Sequence, residues 1–382
     1  MSASHYAYHD RGFVHEFQLR TITFYTSKYW YRRLSAHAIR SVSADAEPTP
    51  FEEVKVPEDA KLSTFASAAL VELRTDWQPP GCSVAFKAGS LISAPMDSVM
   101  KGDWSKVRAL FEPTPSRSLN DKTETRDYLV LKVMEHVCAK LEFWRFDGGD
   151  WLQEVAAGGA AIKVGEDVCV ENVSRNAEDD NLLWITRDGY LVPDSQEIAN
   201  AENGCTATQT VRTKPAMFDA RGLSVWQHFA ASLDGTRVPY FVIGRTDMKL
   251  DGSNPTLLDA YGGFEIPMLP HYSGAVGAAW LEAGGVKVIA NIRGGGEYGP
   301  TWHQAALKGG RHRAYEDVEA VAQDLIARGV TSTPRLAVIG GSNGGLMVGN
   351  MLTRPVGSAL FGAAVCQVSA CGWSRPCRTL CL

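Results

Sequence analysis

The stretch Leu336-Ala337-Val338-Ile339-Gly340-Gly341-Ser342-Asn343-Gly344-Gly345-Leu346-Met347-Val348 decides the reading of the C-terminal half. Its four leading apolar residues predict a buried strand, and Leu346, Met347, Val348 and Met351 predict a helix that starts after Ser342. Between the two lies G-x-S-x-G, with Gly340 and Gly344 flanking Ser342. A sharp strand-to-helix turn lifts a serine hydroxyl out of the sheet and strains its backbone, and the crowding calls for glycines on both sides. The pattern marks Ser342 as a nucleophile; the plainer alternative is a serine N-cap on a glycine-rich helix. The backbone N–H of Asn343 then faces a developing oxyanion at the helix N-terminus, where the dipole adds to the attraction. Because that contribution comes from the main chain, the identity of the Asn343 side chain is expected to matter less to it.

Working outward, the runs Thr256 to Tyr261, Val286 to Ile292 and Arg335 to Gly340 read as strands. A helical run from Ala314 to Ala327 carries Val318, Val321, Leu325 and Ile326 at near-helical spacing, and Ala363 to Val368 reads as a further strand. Strands alternating with helices predict an α/β domain with a mainly parallel sheet. It opens with a hairpin, Val225 to Ser232 and Val238 to Ile243 about the turn Asp234-Gly235. Tyr261-Gly262-Gly263-Phe264 closes the strand Leu257-Leu258-Asp259-Ala260. The loop after such a strand supplies the second oxyanion donor, a task open to a tyrosine hydroxyl, but on these residues alone a strand-end tyrosine before a diglycine turn is the favoured reading. Arg293-Gly294-Gly295-Gly296-Glu297-Tyr298-Gly299 lacks a G-x-G-x-x-G helix start, and no G-K-[ST] occurs, so a tight loop is expected there rather than a nucleotide cradle. No cofactor is expected. His303 and His312 are the last histidines and both precede Ser342, whereas α/β-hydrolases run serine, acid, histidine. Both are read as structural or solvent-exposed.

From about Arg20 to about Phe218 the pattern is different: short apolar or alternating runs between polar turns, such as Ala69-Leu70-Val71-Glu72-Leu73 and Tyr128-Leu129-Val130-Leu131-Lys132-Val133. The clearest hairpin sets Lys140 to Arg145 against Trp151 to Val155 across Asp147-Gly148-Gly149-Asp150, residues that supply the positive φ angles of a tight turn. Strands in this rhythm without intervening helices predict an all-β domain, of propeller or sandwich type.

Composition narrows the function. The 382 residues are 45% apolar and 21% charged, with a net charge of −5, which is ordinary for a globular protein and leaves no basic footprint for nucleic acid. No run approaches the length of a membrane span, and Met1 to Phe17 lacks the apolar core of a secretory signal, so the expected setting is cytoplasmic. The eight cysteines form no disulfide or metal framework; Cys377 and Cys381 lack a second pair, and no metal is expected.

Asp234-Gly235-Thr236-Arg237-Val238-Pro239-Tyr240-Phe241, Tyr261 to Phe264, Arg293 to Gly299, Trp302-His303 through Glu316-Asp317, and Gly340 through Gly345 together resemble the prolyl oligopeptidase family of serine peptidases. The resemblance implies an α/β-hydrolase domain capped by a seven-bladed propeller that admits only short peptides. It also implies Ser342 as nucleophile, with the Tyr261 hydroxyl and the Asn343 N–H as oxyanion hole. On this reading residues 1–217 form a partial propeller, 218–368 the first portion of the peptidase domain, and 369–382 a Cys- and Arg-rich tail outside the match. The chain then reads as incomplete at both ends, and the tail suggests the hypothesis of a mis-joined exon, a frameshift or a truncated gene. The acid, the histidine and the proline-recognising residues belong to the part that follows, and a complete protein is expected to be a monomer. An esterase or acylaminoacyl-peptidase on the same scaffold, and a non-catalytic propeller-containing binding protein, are the alternatives.

Overall fold

The computed structural model describes residues 3–10, 13–23, 26–35, 50–154 and 162–369. Cys371, Cys377 and Cys381, with the tail beyond Ser369, lie outside the described residues.

The first half is a succession of four-stranded sheets, each with its strands in chain order. Ala3–Asp10, Phe13–Thr23, Thr26–Ser35 and Glu52–Glu53 form one, and Lys61–Phe65, Ala68–Glu72, Leu91–Pro95 and Arg108–Phe111 the next. Arg117–Glu124, Tyr128–Glu135, Cys138–Asp147 and Asp150–Glu154 make the third; Glu166–Asn172, Leu182–Gly189, Ser195–Asn200 and Gln209–Thr213 make the fourth. Strands therefore begin well before Arg20: Ala3 pairs with Arg20 in an antiparallel register that the polar composition of this segment concealed. The hairpin at Asp147 to Asp150 turns through Gly148 (φ 61°) and Gly149 (φ 98°), as its sequence requires.

Packing divides the chain into two compact units, 1–114 with 144–152, and 115–143 with 153–382. In the first, Leu62, Val71, Leu73, Ile92 and Trp104 are buried together, and Trp151 donates through Nε1 to Ser93 Oγ at 2.9 Å.

In the second unit the antiparallel meanders give way to a six-stranded mixed sheet: β1 (Leu223–Ala231), β2 (Arg237–Arg245), β3 (Thr256–Ala260), β4 (Val286–Ala290), β5 (Leu336–Ser342) and β6 (Ala363–Ser369). Its order is β1-β2-β4-β3-β5-β6. β1 pairs antiparallel with β2 and β2 with β4, while β3 runs parallel to β4 and β5, and β5 to β6. Among the described residues four α-helices follow β4: α1 (Pro300–Gln304), α2 (His312–Ala327), α3 (Asn343–Thr353) and α4 (Pro355–Leu360). Between β3 and β4 an additional helical stretch, Gly274–Leu281, opens on a Ser273 cap.

Each face of the central strands is apolar, as a sheet covered on both sides demands. Tyr240, Val242, Leu258, Val288 and Val338 pack against Val318, Val321 and Leu325 of α2 and Met347, Val348 and Met351 of α3. Phe241, Ile243 and Ile289, on the opposite face, pack with Leu281 and with Tyr128, Val130, Leu183 and Ile185 of the antiparallel sheets. Among the described cysteines, Cys82, Cys138, Cys169, Cys205 and Cys366 are free thiols, and burial pushes the Cys205 thiol up to about 12. No helix among the described residues is long and apolar enough to cross a membrane.

Candidate active site

β5 delivers Ser342 to the C-terminal edge of the sheet, and α3 begins at the next residue. Ser342 itself stands at φ 52° and ψ −113°, a conformation costly for a residue with a Cβ, and its side chain is exposed with no helix-capping hydrogen bond. The N-cap alternative therefore does not describe its side chain. Gly344 lets the first turn of α3 sit against β3: a Cβ there would lie 2.6 Å from the Ala260 carbonyl.

That close approach brings Tyr261 and the turn at Ser342 together. Asn343 is buried and donates through Nδ2 to the Tyr261 carbonyl at 2.7 Å. A Cβ on Gly263 would fall 2.3 Å from the same Nδ2, so the diglycine is shaped around the asparagine amide. The side chain has a structural part of its own: it ties the residue after the serine to the backbone of the loop after β3. Nothing in the five-residue pattern around Ser342 announces such a link, because the partner lies 82 residues away in sequence.

The loop 261–268 is held from several directions. Arg311 donates to the Gly262 carbonyl; the Glu265 N–H reaches the Gly294 carbonyl at 3.2 Å and His303 Nδ1 at 3.1 Å. Phe264 (φ 54°) and Glu265 (φ 58°) are both left-handed and non-glycine, conformations that persist only where surroundings impose them. His303 is buried with Nδ1 2.7 Å from the Gly294 carbonyl, and His312 is exposed with Nδ1 2.9 Å from the Gly309 carbonyl. Both engage backbone of their own neighbourhood, as the structural reading expects.

Beneath the loop lies an ion cluster that links three of the motifs. The Arg293 guanidinium donates to Asp317 through Nη2 at 2.6 Å and through Nε at 3.0 Å, and Asp317 also accepts the Arg293 backbone N–H at 2.9 Å. Arg293 further reaches Asp234, Thr236 Oγ1 (3.2 Å) and Ser232 Oγ (3.1 Å). Arg293 holds the Asp234 carboxyl far below the usual carboxylate range; burial opposes the Arg293 charge, but its two aspartates raise its pKa on balance. The turn after β1, the start of the glycine-rich loop and the middle of α2 are thereby one unit. Glu297, farther along that loop, is also buried, and desolvation pushes its carboxyl up to about 7 against the hydrogen bonds from Met268, its own backbone and Asn291.

Residues 270–377 match the sequence profile described as the Prolyl oligopeptidase family, a match that runs beyond Val368. A relative from Sinorhizobium fredii, described as an uncharacterized peptidase, is 41% identical over 307 residues, covering 80% of this chain and 40% of its own length. A prolyl endopeptidase of Elizabethkingia miricola is 44% identical over 175 residues, 45% of this chain and 24% of that protein. The solved structure of a post-proline cleaving enzyme from Rickettsia typhi superposes with a TM-score of 0.80 at 30% identity, over 93% of this chain and 48% of that one. The chain thus spans less than half the length of these proteins. Fold, motif order and relatives agree: this chain belongs to the prolyl oligopeptidase family of serine peptidases.

Proposed function

We propose that this chain carries the nucleophile portion of a serine peptidase acting on short peptides through an acyl-enzyme at Ser342. The observation that carries the reading is the backbone of Ser342, at φ 52° between β5 and α3, on an exposed residue whose side chain makes no capping hydrogen bond. Residues 1–217 serve as a partial propeller and 218–368 as the first portion of the peptidase domain. In the proposed reaction Ser342 Oγ attacks the peptide carbonyl carbon as its proton passes to a base. The carbonyl oxygen gains the negative charge, which the Tyr261 hydroxyl and the Asn343 N–H stabilise. Collapse expels the amine with a proton, and water releases the acid from Ser342.

After Ser342 the 382 residues contain no histidine, aspartate or glutamate. Serine is a weak nucleophile without an adjacent base, and removing triad members costs roughly 10⁴ to 10⁶ in kcat in comparable enzymes. The turnover proposed here therefore needs a base and an acid from elsewhere. The test has two arms, each with a proline-containing fluorogenic peptide and with Ser342→Ala alongside. A polypeptide of these 382 residues is expected to give no turnover above the alanine variant. The same residues joined to a relative's segment carrying the acid and histidine are expected to turn over, with Ser342→Ala abolishing it. Activity of the joined protein that survives in the alanine variant would remove Ser342 from the role.

A further inference from the structure

Glu297 ties the far end of the loop after β3 to two neighbouring elements. Its carbonyl accepts Ser118 Oγ at 2.8 Å, from the strand Arg117–Glu124. Its Oε1 accepts the Met268 N–H at 3.0 Å, at the far end of the loop 261–268, and the Asn291 amide at 3.2 Å, just past β4. Its Oε2 has no hydrogen-bond partner, and the side is closed by Gly295, where a Cβ would meet Oε2 at 2.2 Å. Asn291 spends its other amide hydrogen on the Met268 carbonyl at 2.8 Å, so Met268 is gripped at both its N–H and its C=O.

We propose that Glu297 is a pH-responsive positioning residue for the loop 261–268, holding it in place as the neutral acid and loosening it when the carboxyl ionises. An anion in this shell has only neutral donors, the Met268 N–H, its own backbone N–H and the Asn291 amide, with Oε2 unpartnered among the described residues, and no cation is among the groups that act on its charge. A buried charge so poorly satisfied gains more from water than from its neighbours, which favours local opening. The two strained residues Phe264 and Glu265 make the held conformation one that relaxes once its tether slackens. The inferred titration near neutrality, about 7, agrees with that geometry.

The titratable groups around it are few. Tyr190 and Tyr298 feel the carboxyl's charge, both phenols raised by burial first and by Glu297 among other causes. His136 Nδ1 stands 3.1 Å from the Tyr298 hydroxyl, and the loop itself meets Arg311 and His303. His303 is therefore the competing source of any pH effect on the loop.

The sign follows from linkage. The carboxyl binds its proton more tightly in the closed loop, at about 7, than in an opened, solvated one near its ordinary value. Opening then becomes about tenfold easier per pH unit between about 4.5 and about 7, and levels off above. Only the consequence for catalysis rests on the oxyanion role proposed for Tyr261, so the test is made without substrate and the two ideas fail separately.

The experiment is hydrogen exchange of the amides in 262–268 of the 382-residue chain, corrected for intrinsic exchange, from about pH 5 to about pH 8. The expected result is protection that falls about tenfold per unit and flattens above about pH 7, with Glu297→Gln giving protection independent of pH. His303→Gln is expected to keep the wild-type slope. A flat wild-type profile overturns the proposal and does so even if Glu297→Gln fails to fold. A slope retained in Glu297→Gln, or lost in His303→Gln, overturns it as well.

Discussion

The Asn343 side-chain amide donates to the Tyr261 carbonyl at 2.7 Å, joining the residue after the serine to the strand end that carries the tyrosine. Two groups expected to face the same oxyanion are thus set by one hydrogen bond as well as by two neighbouring strands. Asn343 is buried and the contact part-buried, so its loss removes the amide from a carbonyl only partly open to water.

Asn343→Ala is expected to lower stability by about 1–3 kcal/mol, the cost of a buried polar group left unpaired. Urea unfolding of the 382-residue chain measures it, and an unchanged midpoint would show that the contact contributes nothing.

Tyr261→Phe is expected to lower kcat by about 10² to 10³ with KM little changed, since an oxyanion donor acts on the transition state. The assay requires the joined protein with its base and acid. A change in KM alone would make Tyr261 a binding or structural residue. The variant should unfold with the wild-type midpoint, because the bond to Asn343 uses the tyrosine carbonyl and not its hydroxyl.

Arg293→Ala is expected to cost about 3–5 kcal/mol, because it strands the fully buried Asp317 carboxylate. The double variant Arg293→Met with Asp317→Leu should be less destabilised than Arg293→Ala, since it removes both charges. Denaturant midpoints of the single and double variants decide this; a double variant worse than the single would mean that the pair adds net stability.

Global stability should also register Glu297. Its folded value of about 7 lies above its unfolded value near 4.5, so the native state holds the proton more tightly. The stabilisation is fully present below about pH 4.5 and lost as pH rises to about 7, a span of roughly 3 kcal/mol at most. Glu297→Gln should flatten that part of the stability profile. Melts of wild type and variant between about pH 4.5 and about pH 7.5 measure the difference, and parallel profiles would count against it.

Sequence alone determined the elements whose signals are local. Leu336 to Ile339, the glycines about Ser342 and the apolar stripe of α3 specify a strand, a turn and a helix within a dozen or so neighbouring residues, so their order is legible without coordinates. The same holds for the hairpin at Asp147 to Asp150 and the parallel strands β3, β4 and β5. Tertiary structure decided what depends on residues meeting across the chain. Asn343 reads as a helix residue until Gly263 and Tyr261 close around it, and Arg293, Asp317 and Asp234 are three separate charges until the sheet brings them together. Glu297 reads as a polar loop residue, yet Gly295, Asn291 and Met268 enclose it. Burial and partnership set the energy of a polar group, and both are sums over contacts distant in sequence, which no local pattern records.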